Sequence, residues 1–154
     1  MGRKKQRRQS KPSSSAPEPR FVPRHEQQYA LVGDTVLDVQ QAHWLLRESP
    51  RRSVRIDVTV WALLYGLDGN PASPIGVGPL FDPVHAMTTD LTRPLILATI
   101  PTGGDAETQL IIDGSHRLYR AYLEGRDSLP AHILTAAESD AITVARPHRN
   151  GDTA

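Results

Sequence analysis

An α+β fold, a small mixed sheet with flanking helices, is what three features of the sequence predict. Apolar residues repeat with helical spacing in some segments and alternate like strands in others. Two apolar runs, "RPLILATI" and "TQLIID", flank a "PTGGDAE" turn, which makes a hairpin through Gly103 and Gly104. A helical segment, "SHRLYRAYLEG", then separates the second run from another apolar strand, "LPAHIL".

Each element has its own local reason. "YALVGDTVLDV" is a short strand, a Gly-Asp turn and a second short apolar piece. In "DVQQAHWLLRES", Val39, Ala42, Leu45 and Leu46 fall on one helical face, and Asp38 is placed to cap it. In "RIDVTVWALLYGLDG", Val54, Ile56 and Val58 alternate, whereas Val60, Leu63, Leu64 and Leu67 repeat like a helix. A strand ending near Val58 and a helix from Thr59 to Leu67 are therefore expected. Residues 70–87, "NPASPIGVGPLFDPVHAM", are expected to form a loop with one helical turn. "SHRLYRAYLEG" closes at Gly125, a common helix stop, and "LPAHIL" is expected to be the final strand.

Composition bounds the functional classes. The chain has 154 residues, no cysteine and a formal net charge of +1. The length suits one domain, expected over 27–144, with tails at 1–26 and 145–154 too polar to offset chain entropy and expected to be disordered. Without cysteine there is no disulfide, thiolate metal site or thiol nucleophile. No stretch has the roughly 20 apolar residues of a membrane span, and the basic N-terminus lacks an apolar core behind it, so a cytoplasmic location and no membrane partner are expected. Oligomeric state is not legible. Arg3, Lys4, Lys5, Arg7 and Arg8 cluster in the first tail. Such a run either contacts nucleic acid through counterion release or simply solubilises the chain.

The chemistry concentrates in "LIIDGSHRLYR". A strand stops at Asp113-Gly114, and Ser115, His116 and Arg117 open a helix. Glycine permits backbone conformations and close approaches that a Cβ forbids. The first N–H groups of a helix have no internal partners, so this turn is suited to an anion. Ser115 is a natural N-cap, Arg117 can grip a phosphate with two hydrogen bonds, and Arg120 lies one turn further on. Asp113 can hold a ribose hydroxyl, a metal ion or His116. The plainer alternative is a helix cap, with Asp113 and Ser115 capping and His116 and Arg117 solvated or paired.

The segment "IIDGSHRLYRAYLEGRDSLPAHIL" resembles the signature region of the ParB/sulfiredoxin superfamily over about 25 residues. The likeness extends loosely upstream through "DLTRPLILATI". It is nearest to small ParB-like domains carrying Asp-Gly-x-His-Arg. Gly114 and Arg117 match the family's phosphate-binding Gly-x-x-Arg, and His116 matches the histidine of the sulfiredoxin-like variant. Ser115 stands where sulfiredoxin has its catalytic cysteine, so thiol-dependent reduction of a peroxiredoxin is excluded. Arg120 occupies the position of a small alanine, which either alters how the helix meets a nucleotide or adds a phosphate ligand. Neither the partition proteins' upstream Arg-containing box nor a helix-turn-helix after Leu134 is found, which argues against sequence-specific DNA clamping.

The resemblance implies nucleotide binding at Gly114, Ser115, His116, Arg117 and Arg120, with ATP or CTP and Mg²⁺ as candidate ligands. It allows an NTP hydrolase or a phosphoryl-transfer enzyme, with Asp113 and His116 as candidate catalytic residues and Asp90 a further candidate base. Two alternatives stand beside it. One is a non-catalytic DNA-associated or regulatory module binding through its basic tail. The other is a ParB-like nuclease, which needs clustered carboxylates. His85 with Asp82 and Asp90 fits a capped helical turn better than a metal cluster. His43 and His132 are expected at the core edge, and Trp44 and Trp61 in packing.

Overall fold

The computed structural model describes residues 29–32, 34–77 and 81–145. The first expected tail, with the basic cluster Arg3–Arg8, lies outside the described residues, as does the second except Ala145, which ends a strand instead of opening a tail. The elements run β1 (Tyr29–Val32), β2 (Thr35–Asp38), α1 (Val39–Glu48), β3 (Val54–Asp57), α2 (Val58–Leu64) and α3 (Pro83–Ala86). They continue as β4 (Leu95–Gly103), β5 (Ala106–Asp113), α4 (Ser115–Leu123), β6 (Ser128–Ile133), α5 (Ala136–Ala141) and β7 (Thr143–Ala145).

The main sheet has four strands in the order β3-β6-β4-β5, with β4 antiparallel to β5 and parallel to β6. A second sheet, β1-β2-β7, is antiparallel throughout. This is the α+β class with a mixed sheet.

Strand β4 explains why the molecule has two apolar layers. Leu95, Leu97 and Ile111 lie in one buried cluster with Ala62, Tyr65 and Leu118, beneath α2 and α4. Ile96, Ala98 and Ile112 lie in another with Leu37, Ala42, Leu134 and Ile142, beneath α1 and the segment leading into β7. Successive residues of a strand point to opposite faces. A run such as Leu-Ile-Leu-Ala, apolar at every position, therefore requires cover on both sides.

Polar ties fix the layers. Thr99 Oγ1 donates to the Leu134 carbonyl at 2.7 Å, and the Thr99 N–H donates to Ser139 Oγ at 2.9 Å. On the other face the Ile111 N–H donates to Tyr65 Oη at 2.8 Å.

Three expectations change. The helix expected from Thr59 begins at Val58, because the Asp57 carboxylate accepts the Val60 N–H and turns the chain one residue earlier. It also ends at Leu64, short of Leu67. "LPAHIL" is not the final strand: α5 and β7 follow. Thr135 and Glu138 form a reciprocal capping box that starts α5, and β7 then pairs with β2. By contrast Asp38 caps α1 as its sequence indicates, accepting the Gln41 N–H at 3.1 Å.

Tyr65→Phe would leave the Ile111 N–H buried without an acceptor. We expect a loss of about 1–3 kcal/mol in urea unfolding with the m-value unchanged.

Candidate functional site

The hairpin and α4 place the site. Because Ile96 pairs with Asp113, the residues just before β4 lie beside those just after β5. A cleft of about 470 Å³ opens at this end of the sheet. His43, His85, Asp90, Arg93, Asp113, Gly114, His116 and Arg117 line it, with Thr88 and Thr89. Its side chains are those of histidine, threonine, aspartate and arginine, so it suits a polar occupant.

Gly114 is the N-cap of α4, at φ 114°, and makes no side-chain cap. Ser115, the expected cap, is instead the first helical residue and does not line the cleft. The first intrahelical bond is Leu118 N–H to the Gly114 carbonyl at 2.9 Å. The N–H groups of residues 115–117 therefore lie ahead of the ladder, where a side-chain cap would otherwise sit. The glycine serves the protein's own packing: a Cβ there would stand 2.6 Å from Leu95 Cγ and 2.9 Å from Arg117 Nη2.

Arg117 curls back under that glycine. It is only 7 % exposed, and Nη2 donates to Asp113 Oδ2 at 3.2 Å and to the Pro94 carbonyl at 3.3 Å. Its Nε is buried with no hydrogen-bond partner. Such a guanidinium nitrogen is costly to leave unmatched. Arg117 is thus a structural tie as well as a wall of the cleft.

Asp113 meets His43, not His116. His43 Nε2 lies 3.0 Å from the Asp113 Oδ2 that also receives Arg117. Burial pushes the Asp113 carboxyl up, but the His43 hydrogen bond and the Arg117 charge outweigh it and hold the group below its ordinary value. Asp113 is therefore a carboxylate at neutral pH.

His116 is committed elsewhere. Its Nε2 accepts the Asp82 N–H at 3.0 Å, so the neutral ring carries its proton on Nδ1. The ring stacks on Phe81, centroids 4.9 Å apart, and meets His85 edge-on at 5.1 Å. Burial, helped by His85, lowers its pKa and keeps it neutral. His116 pins the loop around α3 to α4. Asp82 itself caps α3 through the Val84 and His85 N–H groups.

Arg120 does not line the cleft. It bonds Glu124 Oε1 at 2.9 Å and the Thr89 carbonyl. It supports the cleft's outer wall from behind. Asp90 does reach the cleft, and the Thr92 hydroxyl and N–H, followed by the nearby Arg93, hold it below its usual value.

Sequence reading missed two residues here. Arg93 is exposed at the mouth, and its signal was available: it stands three residues before Ile96, the hairpin partner of Asp113. His43 was expected only at the core edge, and no local pattern links it to a residue 70 positions away.

Among the described residues no helix is long and apolar enough to cross a membrane. Nor do they contain a group of three or more His, Cys, Asp or Glu side chains placed to hold a metal ion. No protein-family model, curated protein or solved structure matches the chain.

Two outcomes check this geometry. Gly114→Ala should destabilise by about 1–3 kcal/mol, since both the positive φ and the Leu95 contact oppose a Cβ. A His held neutral in the folded state gives stability that is complete above the unfolded pKa, about 6.5, and is lost as pH falls towards the lowered folded value. The melting temperature should therefore drop between pH 6.5 and 5, and less steeply in His116→Gln. His132, likewise lowered by burial, supplies the slope that remains.

Proposed function

We propose that the cleft binds the phosphate groups of a nucleotide. The observation that carries this is the uncapped N-terminus of α4 opening beside the buried, incompletely bonded Arg117. Free N–H groups and the helix dipole attract an anion, and the glycine cap puts no side chain in the way. Arg93 adds a cation at the mouth, while the neutral His116 offers its Nδ1–H as a donor. The volume is within the roughly 300–1,000 Å³ of small-ligand sites.

The likeness of residues 111–134 to the ParB/sulfiredoxin superfamily supports the same reading and favours ATP or CTP. Mg²⁺ accompanying such a ligand takes one or two carboxylates plus phosphate oxygens. Asp113 is bonded to His43 and Arg117, so Asp90, bonded only within its own turn, is the carboxylate left for it. A nuclease needs several carboxylates on its metals, and one uncommitted aspartate supports it less well.

Arg93 is the residue to remove, because Arg117→Ala also breaks the tie to Asp113. In a thermal-shift panel of ATP, ADP, CTP and GTP with Mg²⁺, ligand at 100 times its Kd stabilises by about 2.7 kcal/mol. We expect a shift with at least one of them, weakened about tenfold in apparent affinity in Arg93→Ala. No shift with any nucleotide would overturn the proposal.

A further inference from the structure

We infer that His43 is the general base for attack of water on a phosphoryl group held in this cleft, with Asp113 as the residue that fixes its ring. The inference rests on the phosphate-binding reading above and adds a reaction to it.

Asp113 Oδ2 accepts from His43 Nε2 at 3.0 Å and from Arg117 Nη2 at 3.2 Å. A carboxylate can only accept, so it sets the His43 proton on Nε2. The lone pair of the neutral ring is then on Nδ1, for which no hydrogen bond exists among the described residues. Arg117 holds the carboxylate from its other side, so Asp113 cannot swing away when the ring turns cationic. An anion fixed behind an imidazole both orients it and stabilises the charge it gains with a proton.

Exposure supports a working role over a purely structural one. The His43 and Asp113 side chains remain 29 % and 26 % exposed, and both line the cleft beside the α4 N-terminus. The other candidates have other duties. His116 has already given its Nε2 lone pair to the Asp82 N–H. Asp90 accepts from Thr92 through both its hydroxyl and its N–H, which makes it a weaker base. His85 has only a long 3.5 Å contact to Thr88 Oγ1, and no carboxylate orients it.

In the step, a water oxygen forms a bond to the terminal phosphorus of the nucleotide. One O–H bond of that water breaks, and its proton passes to His43 Nδ1. The bond from phosphorus to the bridging oxygen breaks, and the electron pair leaves with the shortened nucleotide. His43 then returns the proton to solvent. Only water and the nucleotide are consumed.

The test is phosphate release from the nucleotides with Mg²⁺ by the full chain, alongside their Kd values and melting temperatures. Wild type should release phosphate. His43→Gln should bind within about threefold of wild type and turn over at least about 100-fold more slowly. Asp113→Asn should also lower turnover more than affinity.

Binding without phosphate release would overturn the inference and leave the phosphate-binding reading standing. No binding would overturn both. Unchanged turnover in His43→Gln would overturn the inference alone. Should that variant fail to fold, unchanged turnover in Asp113→Asn would do the same.

Discussion

One carboxylate oxygen, Asp113 Oδ2, joins the two halves of this molecule. Arg117 reaches it from α4, which covers one face of the main sheet. His43 reaches it from α1, which covers the other. The meeting point is the last residue of β5, where the chain leaves the sheet. An oxygen so placed has two partners of different kinds, one always charged and one titratable. Removing it would strand the guanidinium of a residue only 7 % exposed, and such a charge is destabilising unless paired. The cleft opens beside this point, lined by residues of α1, of α4 and of the segment from α3 to β4.

That arrangement gives Gly114 a more specific meaning than a permissive turn. Its positive φ and absent Cβ let Arg117 fold back beneath the backbone and let Leu95 press against the turn. The same compact folding leaves the α4 N-terminus bare. Internal packing and the bare helix N-terminus thus both depend on one missing methyl group.

The sequence showed the hairpin, α1, α4 and the apolar strands because each is written in local periodicity and caps. It failed where the cause is local but subtle, as at Asp57, whose carboxylate starts α2 one residue early. It failed again after Leu134, where the Thr135-x-x-Glu138 box was legible but polar surroundings masked it. At the site, Asp113, Gly114, His116 and Arg117 were legible as a group because they are contiguous. Their pairings were not. The natural expectation joins Asp113 to His116, three residues away, yet His116 is drawn off by Phe81 and the Asp82 N–H. His43 arrives through the docking of a second apolar layer, which no local pattern specifies.

The division of labour among the cations follows from the same geometry. Arg117 carries a charge, but Asp113 offsets it at 3.2 Å, so little of it is left to draw a ligand from a distance. His116 is held neutral, and the helix N-terminus contributes only partial charge. On the proposed phosphate-binding reading, Arg93, exposed at the mouth, is the cation that an incoming phosphate would meet first. On that same reading, a cleft built this way would select by hydrogen-bond geometry more than by net charge. Rigid donors around an oriented imidazole are also what chemistry at phosphorus requires, since a reacting group must be positioned as well as attracted.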